Sequence, residues 1–269
     1  MVLAYDVLYI TKTKEGVMDY GIKDRVAVVT GAAFDGLGRA DALALALEGA
    51  KLAVVDIVSC EETVKILKDN GATAFGYECD LSKEDQVRET AKKIQSDLGD
   101  VSILVNNASI LSTVGMFSDI PPKLWNRDIE VNIIGTANIT RAVWPMMLKG
   151  SWGRVVSMAS IAGTHGGAGQ TSYSTTKAAM IGFGKSLALE GARYNVTSNV
   201  IAPGVIKSAV AMQGIRGDML ERMKKITAMR RFGELGELAQ VVAFLCSQQA
   251  SYLTGQVIGV DGGMSLFVF

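Results

Sequence analysis

Thr30-Gly31-Ala32-Ala33-Phe34-Asp35-Gly36-Leu37-Gly38-Arg39-Ala40 follows the β-branched run 25–30 and leads directly into a segment with helical apolar spacing. Glycines let the backbone turn tightly and approach a pyrophosphate, while free N–H groups at the start of a helix favour the anion. The same glycines would also serve a bare need for close strand-helix packing, so the loop is read with its neighbours.

Outward from this stretch the pattern repeats. Strand candidates at 25–30, 51–56, 73–78, 101–106, 153–158, 196–201 and 256–260 alternate with helix candidates near 36–49, 60–70, 83–97, 122–148, 173–191 and 236–247. This alternation predicts an α/β fold, a doubly wound (Rossmann-type) parallel sheet of about seven strands with helices on both faces. No linker, repeat or low-complexity tract divides it. Residues 1–17 are expected to be an N-terminal extension and 18–269 a single domain, with the weakly patterned segment 204–232 covering the crevice as a substrate lid. The start of the chain lacks the basic leader and cleavage site of a signal peptide.

Composition narrows the function. Among 269 residues, Lys+Arg 27 balance Asp+Glu 27, so the net charge supplies no field for nucleic acid or an anionic membrane. No window reaches the roughly 18 apolar residues of a spanning helix. One histidine, His165, and three scattered cysteines, Cys60, Cys79 and Cys246, make a protein-built metal site an unpromising reading. The odd thiol count points to a reducing compartment, the cytoplasm.

Asp56 closes the second strand, 20 positions after Gly36, where an acidic residue accepts hydrogen bonds from an adenosine ribose. A carboxylate there repels a 2′-phosphate, which favours NAD over NADP. Arg39, the nearest basic candidate for such a phosphate, is expected to be solvent-exposed. Asp80, after the third strand, reads as a helix N-cap neighbour or an adenine-edge acceptor. Further on, Ser160 ends a strand, and Tyr173 and Lys177 stand four apart on what reads as one helix face. At about 4 Å and an effective dielectric of about 20, a lysine changes a phenol's ionisation energy by about 4 kcal/mol, enough to bring its pKa from about 10 toward about 7. That makes Tyr173 a general acid/base at neutral pH.

With Asn106-Asn107-Ala108, Asn132, Pro203-Gly204 and the closing Val260-Asp261-Gly262-Gly263 in the same order, residues 22–263 resemble the short-chain dehydrogenases/reductases in their compact single-domain form. The resemblance implies that Tyr173 exchanges a proton with the substrate oxygen, that Ser160 hydrogen-bonds that oxygen, and that Lys177 holds the nicotinamide ribose. It implies that Asn132 supports a water leading protons to Lys177. Around the cofactor it places Gly31, Phe34, Asp35, Gly36, Leu37, Asp56, Ile57, Asp80, Leu81, Asn107 and Ala108, with Pro203, Gly204, Ile206 and Ser208 near the nicotinamide. The implied activity is NAD-dependent interconversion of a secondary alcohol and a ketone by a homo-oligomer, a tetramer. The alternatives are an NADP-dependent carbonyl or 3-oxoacyl-thioester reductase and, of another class, a catalytically silent nucleotide-binding partner subunit.

The sequence departs from the family pattern in three places. The glycine loop carries one extra residue, Ser109 stands where glycine is usual, and Ser208 replaces a common threonine. His165 falls in 163–169, which reads as a mobile loop, and is expected to be a solvated bystander. Leu111, Val114, Met116, Met212, Met219 and Phe232 suggest an apolar substrate pocket.

Overall fold

The computed structural model describes residues 19–208, Met212 and 217–266. The expected extension 1–17, Met18 at the proposed domain start and Phe267-Val268-Phe269 of the apolar tail lie outside the described residues.

Seven strands form one parallel sheet: β1 (Val26–Thr30), β2 (Lys51–Asp56), β3 (Ala74–Glu78), β4 (Val101–Asn106), β5 (Gly153–Met158), β6 (Val196–Pro203) and, last in the chain, Val257–Val260. Two short segments between them, β7 (Ile206–Lys207) and β8 (Gly233–Glu234), pair separately, so the last sheet strand is β9. The order is β3-β2-β1-β4-β5-β6-β9. Parallel neighbours need crossover helices, which cover both faces, and this explains why the strands read as unbroken apolar runs such as VAVVT rather than as alternations. Chain order reverses between β1 and β4, which opens a crevice at the C-terminal ends of the strands.

Among the described residues the helices with defined bounds are α1 (Leu37–Leu47), α2 (Glu61–Asp69), α3 (Glu84–Leu98), α4 (Pro122–Ile129), α5 (Thr136–Lys149), α6 (Ile161–His165), α7 (Thr171–Gly191), α8 (Gly217–Ile226) and α9 (Leu235–Leu245). On one face Leu45 of α1 and Leu238 and Val242 of α9 bury against Leu52 and Val54 of β2. On the other, Ile94 of α3, Ile139 and Val143 of α5 and Leu187 of α7 bury against Val28 and Leu104.

Three expectations need correction. The helix expected over 122–148 is interrupted by a π-helical turn at Glu130–Gly135. Thr136 Oγ1 donates to the Asn132 carbonyl oxygen at 2.9 Å within that turn, and such insertions recur at functional sites. The stretch 163–169 is not wholly a loop, because Gly163 to His165 finish α6, whose N-cap is Ser160. Gly163 is what lets α6 approach: a Cβ there would sit 2.6 Å from the Lys177 carbonyl carbon. Finally, the described part of the weakly patterned segment 204–232 holds regular structure, β7 and α8, with Gly233 N–H donating to the Val205 carbonyl at 3.0 Å, while 209–211 and 213–216 lie outside the described residues.

Candidate active site

The glycine loop after β1 is held from three directions. Gly31 adopts φ +68°, and a Cβ there would lie 2.7 Å from the Ala108 Cα; one on Gly38 would lie 2.3 Å from the Gly31 carbonyl oxygen. Only glycine fits both positions. From β4, Asn107 Nδ2 donates to the carbonyls of Thr30 and Gly31 at 3.0 Å each, and the Asn107 and Ala108 N–H groups both donate to Thr30 Oγ1 at 3.1 Å. From β2, the Asp56 carboxylate accepts from Ala33 N–H at 3.0 Å and from Ile57 N–H at 2.7 Å.

The third support corrects the expectation that Arg39 is solvent-exposed. It is 6% exposed. Its guanidinium donates to the Ala33 carbonyl at 2.6 Å and to Thr63 Oγ1 at 2.9 Å, and forks onto Glu62 at 3.1 Å. Arg39 is therefore a staple between the loop and α2. The extra loop residue is accommodated outward, with Phe34 62% exposed and Asp35, Gly36 and Leu37 half-buried. Gly36 caps α1 without a side-chain hydrogen bond, and a Cβ built on it meets no described residue within 4 Å. The helix start is an open cradle of N–H donors suited to a phosphate, and together with the Asp56 carboxylate at the end of β2 it fits a dinucleotide.

At the third strand's end, Asp80 Oδ1 accepts from Ser82 N–H at 3.0 Å and Ser82 Oγ at 2.7 Å, with Arg127 4.0 Å away. Burial works against ionisation there, but Ser82 and the Arg127 charge outweigh it and hold the carboxyl below its ordinary value. Leu81 turns into the core, and its carbonyl accepts from Asn138 Nδ2 at 3.0 Å.

Above the ends of β5 and β6, Ser160, Tyr173 and Lys177 come together. Ser160 Oγ accepts from Ala162 N–H at 3.1 Å and is near enough to the Tyr173 phenol to pull its pKa down. Lys177, 4% exposed, donates from Nζ to the Met158 carbonyl at 2.8 Å, 5.5 Å from the centre of the Tyr173 ring. The expectation that Lys177 lowers the phenol is not met: burial raises the Tyr173 pKa, and the counteracting influence is Ser160. Desolvation instead lowers Lys177 itself to about 8. Pro203 ends β6 and Gly204 N–H donates to the Val260 carbonyl at 3.0 Å. Ile206 is buried in β7, and the Ser208 carbonyl accepts from Met212 N–H at 3.0 Å.

Asn132 sits in the π turn, 2% exposed, but its side chain does not reach Lys177. Its Oδ1 accepts from Ile110 N–H at 2.8 Å, and its Nδ2 donates to the Ile110 carbonyl at 2.8 Å and to Thr176 Oγ1 at 3.0 Å. Sequence reasoning passed over Thr176, Ser172 and Asp128, although Asp128 and Asn132 stand four apart before a catalytic-type helix. His165 is exposed, its Nδ1 2.7 Å from Thr164 Oγ1. A groove of about 850 Å³ lined by Cys60, Val64, Lys68, Gly76 and Tyr77 lies at the β3 edge of the sheet, with β2, β1 and β4 between it and β5 with its chemistry.

A family profile described as enoyl-(acyl carrier protein) reductase matches residues 31–265. This chain belongs to the short-chain dehydrogenase/reductase family. It is 37% identical over 244 residues to a 3-oxoacyl-(acyl-carrier-protein) reductase of Staphylococcus epidermidis, covering 90% of this chain and 99% of that protein. Among solved structures, levodione reductase superposes with a TM-score of 0.88 at 30% identity, over 92% of this chain and 100% of its own. An NAD+-bound xylitol dehydrogenase does so with 0.83 at 30% identity, over 90% and 99%. The chain is thus an oxidoreductase of this family with a parallel, helix-flanked sheet.

Proposed function

We propose that this short-chain dehydrogenase/reductase reduces the ketone of a 3-oxoacyl thioester to the secondary alcohol, using NADH. The ordering of the two activities weighed from sequence is thereby reversed, with support from the 37% identity to the staphylococcal 3-oxoacyl-(acyl-carrier-protein) reductase. The observation that carries the chemistry is the gathering of Ser160, Tyr173 and the buried Lys177, whose Nζ lies 5.5 Å from the centre of the Tyr173 ring. When bound, the nicotinamide supplies the hydride. Tyr173 gives its phenolic proton to the carbonyl oxygen as that oxygen gains charge, and the Ser160 hydroxyl donates a second hydrogen bond to it. Lys177, fastened to the Met158 carbonyl, would hold the nicotinamide ribose beside the phenol. In the reverse direction Tyr173 takes the alcohol proton back.

The cofactor preference rests on Asp56, whose carboxylate at the end of β2 would face the adenosine ribose. The acyl preference rests on the loop 110–117, where Leu111, Val114, Met116 and Phe117 present apolar surface at 39%, 63%, 71% and 67% exposure. That loop is tied beside the α6–α7 connection by Gly115 N–H donating to Gly169 O at 2.9 Å. A second reading, a dehydrogenase of free secondary alcohols, draws support from the likeness to levodione reductase and xylitol dehydrogenase. The same reading extends to a cytoplasmic homotetramer, supported by three free, buried cysteines and by Leu189 and Tyr252 at 83% and 101% exposure; sedimentation tests the assembly.

The deciding experiment follows absorbance at the nicotinamide band with NADH and NADPH, offering acetoacetyl-coenzyme A, cyclic ketones and polyols. Tyr173→Phe should lower kcat by at least about 10²-fold while dinucleotide binding stays near wild type. Dinucleotide binding with no turnover on any of these substrates would favour the silent nucleotide-binding subunit.

A further inference from the structure

Asp128 lies wholly inside the protein, 0% exposed, on α4. A carboxylate is costly to bury unless both oxygens are engaged. Its Oδ2 accepts from Ser172 Oγ at 2.6 Å, and its Oδ1 accepts from Ser112 N–H at 3.0 Å. Ser172, also 0% exposed, immediately precedes Tyr173. Ser112 belongs to the apolar loop that borders the site.

Asn132 repeats this arrangement four residues later. It joins Ile110 of the same loop to Thr176, which immediately precedes Lys177. Two rungs therefore run from the α4/π segment, each linking the loop to the residue before one of the two chemical side chains on α7. The second rung springs from the π turn itself, which contains Asn132.

We infer that Asp128 is a positioning residue, holding Tyr173 through Ser172 and the substrate loop through Ser112. This rests on the proposed role of Tyr173. A carboxylate acceptor suits the task because hydrogen bonds to an ionised oxygen are short and strong, which fixes a serine hydroxyl and a loop N–H more tightly than apolar packing does. Displacing a reacting group by about 1 Å costs about 10²-fold in rate.

The two bonds separate kinetically. Ser172→Ala removes only the link to α7, and it should lower kcat about tenfold or more with the KM for acetoacetyl-coenzyme A unchanged. Asp128→Val removes both links and should lower kcat and raise that KM together. Asp128→Asn can still accept from Ser112 and donate to Ser172 Oγ, and should restore most of both. The Asp128→Val/Ser172→Ala pair removes the buried Asp128–Ser172 mismatch and leaves only the Ser112 N–H without its acceptor, so its melting temperature should return part of the way toward wild type while kcat stays low. Dinucleotide affinity, read by fluorescence titration, should be constant throughout. Wild-type kcat and KM in Ser172→Ala and in the double variant would overturn the inference, as would losses in which dinucleotide affinity and melting temperature fall in step with rate. Should Tyr173→Phe itself stay active, the proposed chemistry fails instead, and the two failures are told apart.

Discussion

The Lys177 ammonium donates to the Met158 carbonyl oxygen at 2.8 Å. That bond fastens α7 to the end of β5, the strand that leads into Ser160, so one interaction sets the acid/base helix against the serine. Burial lowers the Lys177 pKa to about 8, below the roughly 10.4 of an unfolded lysine. Between those values the unfolded chain binds more protons than the folded one, so stability contributed by this group rises with pH. Thermal melts of wild type and Lys177→Met from pH 7 to 10 should show wild type gaining on the variant above pH 8. A difference independent of pH would mean that the lysine is not desolvated in solution. The same variant should lose more than about tenfold in kcat.

Asp56 has two duties that substitution can separate. Its carboxylate accepts from Ala33 N–H and so shapes the glycine loop, and its charge disfavours a 2′-phosphate. Asp56→Asn keeps an acceptor for Ala33 while removing the charge, and should shift the ratio of kcat/KM for NADPH over NADH upward by about tenfold, on the order of 1.4 kcal/mol. Asp56→Ala should relax the same preference and weaken both cofactors. An unchanged ratio in both variants would place cofactor selection elsewhere.

The strands were readable because a sheet buried on both faces demands uninterrupted apolar residues, and β1, β2, β4 and β5 fall where those runs stand. The candidate site was readable where spacing carries the chemistry, as with Tyr173 and Lys177. What escaped depends on partners distant in sequence. Arg39 looks like a surface arginine until Thr63 and the Ala33 carbonyl are brought against it. Asp128 looks like a solvated helix residue until Ser172, 44 positions later, closes over it. The π turn at Glu130–Gly135 has no marker of its own, because Asn132 and Gly135 fit an ordinary amphipathic helix equally well. The direction of the Tyr173 pKa is not legible from the Lys177 spacing, because the desolvation that raises it comes with burial in the fold.

Arg39 supplies a prediction of its own. Arg39→Leu leaves the Ala33 carbonyl without its guanidinium donor and releases Glu62, and should destabilise the fold by about 2–4 kcal/mol in urea unfolding. Arg39→Lys should recover little, since one ammonium does not span partners that a planar fork reaches together. Because the loop it staples is the proposed phosphate cradle, isothermal titration should also show dinucleotide affinity reduced about tenfold in Arg39→Lys. Full affinity in that variant would separate loop stapling from cofactor binding.

Asp41 is the counterexample to economy in this fold. It lies 0% exposed on α1, with neither carboxyl oxygen hydrogen-bonded among the described residues. Burial raises its pKa well above the ordinary carboxylate range, and its proximity adds to the raised pKa of the Cys246 thiol after burial itself. The folded chain therefore keeps the Asp41 proton after the unfolded chain has released it near about pH 3.9. Above that pH the folded state binds the extra proton, and wild-type stability falls as pH rises toward the folded-state pKa. Asp41→Leu removes both the unpaired polar group and the titration, and should stabilise the protein by about 1–3 kcal/mol near neutral pH. The gain should be smaller at pH 4 and grow toward pH 8, as read by chemical denaturation at each pH. An offset that stays constant across that range would show that Asp41 ionises alike in the folded and unfolded chain, which a dry carboxyl between α1 and α9 does not allow.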